Sequence, residues 1–233
     1  MRPNIGIIEW PYKDSDGDII YEILMPIVEW VIRCGGNPIG IFPPNIDAFL
    51  DKRISEIKSL TDIEIANLKD NLKLCDAIIK PGATRIYNHE RMIYDIAYKN
   101  NIPYLGICAG MQIMANHNSE NIINVKNDSD IKHHSKEIYA HEVSINTKSN
   151  LYKMLKKEII MVNSRHNYHV GNTNNNIVCA SANDGIVEAI ENPYLDFHLG
   201  LQWHPELLPS NDENSNIIFN ELIEHAKVYK LKK

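Results

Sequence analysis

No run of lysine and arginine of the kind that follows a phosphate backbone occurs in this chain. Its 233 residues carry 23% charged side chains and a net charge of -6, so nucleic acid is not an expected partner. The opening MRPNIGIIEW has one arginine and a short apolar run that ends at Glu9, too little for a signal-peptide core or a bilayer span. Neither a leader nor a membrane anchor is expected, and the reading is a cytoplasmic protein. Cysteine is scarce. The four present, Cys34, Cys75, Cys108 and Cys179, lie far apart without C-x-x-C spacing, which argues against a zinc ribbon or a disulfide scaffold and for free thiols. Cys34, Cys75 and Cys179 read as small buried hydrophobes. Metal signals are equally thin. His133-His134 has no spaced carboxylate or third histidine beside it and reads as a polar surface loop. The run Asp14 to Asp18 (DSDGD) lacks the further ligands and closing glutamate of a calcium loop and reads as a solvated turn. No metal and no cofactor are expected.

With 44% hydrophobic residues the chain can bury one substantial core, which favours a single α/β domain over residues 1–233. Asn4 to Glu9 and Asn37 to Phe42 are isoleucine-rich strand candidates. Between them Ile20 to Cys34 has helical spacing closed by Gly35-Gly36, a βαβ opening. A helix over Asp62 to Leu74, capped by Thr61, precedes the strand Ala77 to Lys80 and a break at Pro81-Gly82. Another helix, Glu90 to Asn100, precedes the strand Pro103 to Ile107. This alternation predicts a flavodoxin-like, doubly wound, mainly parallel sheet. After Asn118 strand-like runs follow one another: Ile138 to Ile145, Ile159 to Val162, Ile177 to Ala182, Ile186 to Glu191 and His198 to Gln202. Turn signals between them predict antiparallel strands added in the C-terminal half. A helix over Ser215 to Tyr229 closes the chain, and the asparagine-rich patch 172–176 reads as an exposed loop tip.

The chemistry concentrates in two segments. Gly106-Ile107-Cys108-Ala109-Gly110 joins a buried strand to a helix over Met111 to His117, the pattern of a nucleophile elbow. A glycine on each side allows the tight turn, and the sulfur faces a helix N-terminus, whose amides and dipole favour negative charge. Near the C-terminus GLQWHPEL places His204 at a strand end, with Glu206 able to turn back to its second ring nitrogen. Cys108, His204 and Glu206 then form a nucleophile, a base and the group that orients the base. Tyr12 and Tyr87 have two readings, the edge of the same cleft or, as is commoner for an aromatic near a strand end, ordinary packing.

GICAGMQ and GLQWHPE, together with EWVIRCGGNPIGIFP, DAIIKPGA, VNSRHNYHV and ASANDGIVEAIE in the same order, resemble the class I glutamine amidotransferases. Within that superfamily the chain is most similar to the γ-glutamyl hydrolase and γ-glutamyl-γ-aminobutyrate hydrolase branch (peptidase C26). The resemblance implies that Cys108 attacks a γ-glutamyl amide carbon and forms a thioester that water hydrolyses. It implies an oxyanion held between the Ala109 N–H and one from the Pro81-Gly82-Ala83 turn, Gly82 or Ala83. Gln112 matches a residue that holds the glutamyl backbone, and Ser164 and His166 match pocket-lining positions. Ala83 stands where the family usually has a second glycine, so a turn needing φ > 0 there would be strained. Ala109 replaces an arginine common in the branch. The leading expectation is a hydrolase of a small γ-glutamyl substrate. A glutaminase subunit feeding a separate synthase, and a binding protein of the same fold without turnover, are the alternatives. Homodimer formation is left open.

Overall fold

The computed structural model describes residues 1–44, 60–84, 86–116, 122–125 and 129–233. In chain order its elements are β1 (Asn4–Ile8), β2 (Trp10–Lys13), β3 (Ile19–Glu22), α1 (Met25–Arg33), β4 (Asn37–Ile41), α2 (Asp62–Lys73), β5 (Ala77–Lys80), α3 (Asn88–Lys99), β6 (Tyr104–Ile107) and α4 (Ala109–Asn116). The second half adds β7 (Ile122–Asn124), β8 (His141–Ile145), α5 (Asn150–Leu155), β9 (Ile159–Val162), β10 (Tyr168–Val170), β11 (Ile177–Ala182), β12 (Val187–Glu191), β13 (His198–Leu201) and α6 (Glu213–Lys232).

One sheet runs in the order β4-β1-β5-β6-β13-β12-β11-β8-β9. The five strands from β4 to β13 are parallel, and the pairings from β13 to β9 are antiparallel. This is the doubly wound sheet with antiparallel additions that the alternation predicts. Because strand side chains alternate between faces, Ala77 and Ile79 of β5 join one core while Ile78 joins the other. The first core packs α1 and α6 on the sheet, with Trp30 and Phe219 stacked at 5.3 Å between ring centres. The second core takes side chains from α2, α3 and α4. Thr61 caps α2 as expected: its hydroxyl accepts from the Glu64 N–H, and the Glu64 carboxylate accepts from the Thr61 N–H at 2.7 Å.

Several expectations need correction. The helix placed over Ile20 to Cys34 starts at Met25, because Ile19–Glu22 pairs with Trp10–Lys13 as a hairpin whose turn is the DSDGD run. There Asp14 Oδ1 accepts from the Asp16 and Asp18 N–H groups, so the acidic turn is closed by its own backbone. Helix α4 starts two residues earlier than expected, immediately after Cys108. The asparagine-rich patch is not wholly exposed. Asn176 is buried and its amide donates to the Met114 carbonyl at 3.0 Å, while the Asn174 amide donates to the Ala115 carbonyl, so the loop caps the end of α4. The expected surface loop at His133-His134 is also wrong in part: His134 is exposed, but His133 is buried. Helix α5, with six residues, and the three-residue strands of the β7–β10 ribbon are too short to show a period in the sequence as separate elements.

Candidate active site

Strands β5, β6 and β13 are neighbours in register, with Lys80 opposite Gly106 and Gly106 opposite Gly200. What leaves their carboxyl ends therefore emerges along one edge of the sheet, where open α/β sheets place ligands. Pro81-Gly82-Ala83 follows β5, Cys108 follows β6, and His204 lies three residues beyond β13.

Cys108 itself holds the sharp turn. Its φ is +50°, left-handed for a residue with a Cβ, a conformation costing ~1–2 kcal/mol that the surroundings must enforce. They do so through the Cys108 N–H donating to Leu201 O at 2.7 Å and the Cys108 carbonyl accepting from Gln112 N–H at 3.1 Å. The flanking glycines serve close approach instead of left-handed backbone. A Cβ on Gly106 would lie 2.5 Å from the Gly110 carbonyl carbon, and one on Gly110 would overlap the Lys80 carbonyl oxygen. Gly82 faces the two reactive groups: a Cβ there would sit 2.6 Å from His204 Cε1 and 3.3 Å from Cys108 Cβ.

His204 Nδ1 donates to Glu206 Oε1 at 2.7 Å, with Pro205–Leu207 forming a single 3-10 turn that brings the carboxylate back under the ring. Both side chains are buried. Burial pushes the His204 pKa down, but the Glu206 charge and the Cys108 and Glu206 hydrogen bonds prevail and raise it to about 10. The His204 backbone is clamped on both sides by Asn163, whose amide donates to His204 O at 2.7 Å and whose Oδ1 accepts from His204 N–H at 2.8 Å. The Pro81 turn is held from behind by a buried ion pair. Lys80 Nζ donates to Pro81 O at 2.8 Å and lies 3.1 Å from Glu90 Oε1, while Glu90 Oε2 accepts from Tyr87 N–H.

Cys108 opens onto two adjoining cavities of about 330 and 460 Å³, both walled by Ala83, Thr84, Cys108 and Arg165. The smaller adds Trp10, Tyr87 and His204; the larger adds Arg91, Gln112 and His166. No carboxylate lines either cavity among the described residues, so the wall presents cations and amides.

Of the residues singled out in the sequence, Cys108, His204, Glu206, Gly82, Ala83, Ala109 and Gln112 converge here. Ala83 is not among the described residues with positive φ, so the strain anticipated there does not arise. Gln112 is buried, its amide donating to Tyr168 O and Gln202 Oε1 at 3.3 Å. Tyr87 lines the smaller cavity. Ser164 does not reach the cleft: it is fully buried and its hydroxyl donates to His133 O at 2.7 Å. His166 touches the larger cavity, but its ring nitrogens face Tyr168 O and His133. Sequence reasoning missed Asn163, Arg165 and the Lys80–Glu90 pair. Asn163 and Arg165 stand in the NSRHN run already noted, whereas a lysine and a glutamate ten residues apart give no sequence signal of a buried pair.

The sequence model of the Peptidase C26 family matches residues 23–206. The chain is 28% identical over 196 residues to CTP synthase of Levilactobacillus brevis, covering 70% of this chain and 36% of that protein. It is 39% identical over 95 residues to a glutamine amidotransferase-like protein of Rickettsia prowazekii, covering 40% of this chain and 33% of that protein. The chain thus spans about a third of the length of these relatives. Among solved structures, the glutaminase domain of Trypanosoma brucei CTP synthase with bound acivicin superposes with a TM-score of 0.69 at 19% identity, covering 97% of this chain and 94% of that one. A protein described as a GMP synthase subunit, from Thermoplasma acidophilum, superposes with a TM-score of 0.64 at 16% identity, covering 100% and 98%. The two structures share the fold, and the family match spans most of the sequence: the chain belongs to the Peptidase C26 family, within the class I glutamine amidotransferase superfamily.

Proposed function

We propose that this protein is a cysteine amidase that cleaves γ-glutamyl amide bonds through a γ-glutamyl thioester. The observation that carries the reading is the left-handed Cys108 at the edge shared by β5, β6 and β13, with the His204–Glu206 pair and Gly82 against it. The Cys108 sulfur, its proton held on His204, attacks the amide carbon, and the carbonyl electron pair moves onto oxygen. The resulting oxyanion accepts from Ala109 N–H, a first-turn amide of α4, and from an N–H of the Gly82-Ala83 turn, a contribution of ~3–4 kcal/mol per donor in comparable sites. Collapse of this intermediate breaks the C–N bond as His204 protonates the departing amine or ammonia. Water then attacks the thioester, giving its proton to His204, and the sulfur leaves with the γ-glutamyl carboxylate released. Arg165 and Arg91, with Gln112, suit the substrate's α-carboxylate, since guanidinium pairs with carboxylate in two parallel hydrogen bonds.

A second reading uses the same chemistry with glutamine as substrate and passes the ammonia to a separate synthase. Its support is the similarity to CTP synthase sequence over 70% of the chain and to an isolated glutaminase domain over nearly all of it. One panel separates the two. Glutamine and a series of γ-glutamyl amines and peptides are assayed for ammonia or amine release, with Cys108→Ala as control. Turnover of a γ-glutamyl amine by the chain alone supports the hydrolase. Glutamine turnover that appears only with an added synthase supports the second reading. Equal background for wild type and Cys108→Ala throughout would sink both.

A further inference from the structure

Away from Cys108, His133, His141, His166 and Glu188 bring one ligand atom each into a buried cluster in which no pair of these atoms is farther apart than 4.8 Å. His133 Nδ1 lies 3.2 Å from His166 Nε2 and 3.2 Å from Glu188 Oε1. His166 Nε2 and His141 Nε2 lie 3.4 and 3.7 Å from the same oxygen. Four ligands at the usual zinc–nitrogen and zinc–oxygen lengths of about 2.0–2.1 Å sit about 3.3 Å apart at the corners of a tetrahedron, close to the four spacings of 3.2, 3.2, 3.4 and 3.7 Å present.

The outward nitrogens decide the tautomers. His133 Nε2 lies 2.8 Å from Asp184 Oδ2, His141 Nδ1 3.1 Å from Glu142 O, and His166 Nδ1 3.1 Å from Tyr168 O. Each of these partners can only accept, so each outer nitrogen carries a proton, and each ring in its neutral form turns a lone pair inward. In that form three lone pairs and a carboxylate face one point, with Glu188 Oε1 lying 3.2, 3.4 and 3.7 Å from the inner nitrogens of His133, His166 and His141, and His141 Nε2 lacks a hydrogen-bond partner. Buried charge of this kind is paired or coordinates a metal. The outer contacts also match the arrangement by which ligating histidines are oriented, a second hydrogen bond to a carboxylate or carbonyl. Asp184 is itself fixed by the Ser129 hydroxyl and by Ile186 N–H.

We propose that His133, His141, His166 and Glu188 form a closed, four-coordinate site for a divalent transition ion, zinc before others. Three imidazoles and one carboxylate suit a borderline-soft ion, and a site with all four positions filled by protein is structural. Its role follows from where the ligands come from. His141 lies on β8 and Glu188 on β12, while His133 and His166 belong to segments joined by His166 N–H to His133 O at 2.9 Å and Ser135 N–H to Ser164 O at 2.8 Å. The ion ties these segments, and with them Arg165 of the cleft wall, to the antiparallel half of the sheet.

The test is metal content by mass spectrometry of the full chain after growth in zinc-supplemented medium, with chelation and back-titration by Zn²⁺ and Co²⁺. One ion per chain is expected in wild type. Because Cys108 and His204 could hold a thiophilic ion, the same content is expected in Cys108→Ser and none in His141→Asn. Chelation should lower Tm by ~10 °C or more and zinc should restore it, the shift for a ligand far above its Kd in a chain of this size. Should His141→Asn fail to fold, cobalt added to chelated wild type still reports, through the intense visible absorption of a tetrahedral ion that Cys108→Ser retains. Metal at trace levels with no response of Tm or spectrum to either ion would overturn the proposal. So would an ion that Cys108→Ser abolishes.

Discussion

His204 with Glu206, and His133, His141 and His166 with Glu188, are built from the same side chains at similar burial, yet they differ in what surrounds them. The first pair sits at the open edge of the parallel strands with a cavity beside it, and one ring nitrogen is left for Cys108. The second group lies on the antiparallel side, each imidazole held at its outer nitrogen, and only His166 reaches a cavity wall, with both its nitrogens turned to other partners. An imidazole with one oriented nitrogen and one facing a cleft can move a proton to a reactant, whereas several facing one another around a carboxylate can share an ion between them. The tetrapeptide Asn163-Ser164-Arg165-His166 touches both: Asn163 clamps His204, Arg165 lines the cleft, and Ser164 and His166 belong to the enclosed side.

The largest effect expected is on turnover. Cys108→Ala should reduce kcat by ~10⁴-fold or more, as removal of a nucleophile does, with a melting curve like wild type. Loss of the fold instead would mean that Cys108 is structural, which would erase the distinction between the two sites. Next comes Gly82→Ala, whose Cβ must displace the His204 ring. A fall of ~10²-fold in kcat with little change in KM is expected, the cost of misplacing a catalytic group by about an ångström.

A third test uses pH. His204 keeps its proton up to about 10, so the alkaline limb of kcat/KM should lie near that value in wild type, and Glu206→Gln should move it down toward the ordinary imidazole range near 6.5. A limb that Glu206→Gln leaves in place would show that the carboxylate does not set the charge of the base. Since the folded value is raised, the stability that the His204 proton contributes is complete below about 6.5 and is lost as pH climbs toward 10.

His198 provides the smallest effect and the opposite sign. It is buried against Tyr94, Tyr98 and Tyr104 with Asp196 near it, and burial holds its pKa down at about 4 against the weaker pull of the Ile102 backbone and Asp196. With the folded value depressed, stability is full above about 6.5 and falls by up to ~1.4 kcal/mol per pH unit as pH drops toward 4. His198→Phe should flatten the fall of Tm over that range. An unchanged acid profile would show that the ring is not held neutral.

Much of the fold was legible because periodicity is local. The runs at Ile159–Val162 and Ile177–Ala182 form strands with the expected ends, and Thr61 caps α2 through a contact three residues away. The hairpin of β2 and β3 was not, since its short strands imitate the helical spacing of the residues that follow. Of the site, Cys108, His204 and Glu206 could be read because each sits in a short pattern whose geometry is set within a few residues. Asn163 could not, as its bonds to His204 span 41 positions.

His133 shows where local reading ends. Beside His134 it looked like part of a solvated loop, because the other members of its cluster lie 8, 33 and 55 positions along the chain. A partial signal existed in HEVSI, where His141 alternates with Val143 and Ile145 and so belongs to the buried face of β8. By itself the sequence determined the longer elements, the elbow and the chemistry of its residues, all of which depend on neighbours along the chain. Only the tertiary structure decided which histidines face a cleft and which face each other, because sheet order and register bring together atoms that the chain keeps far apart.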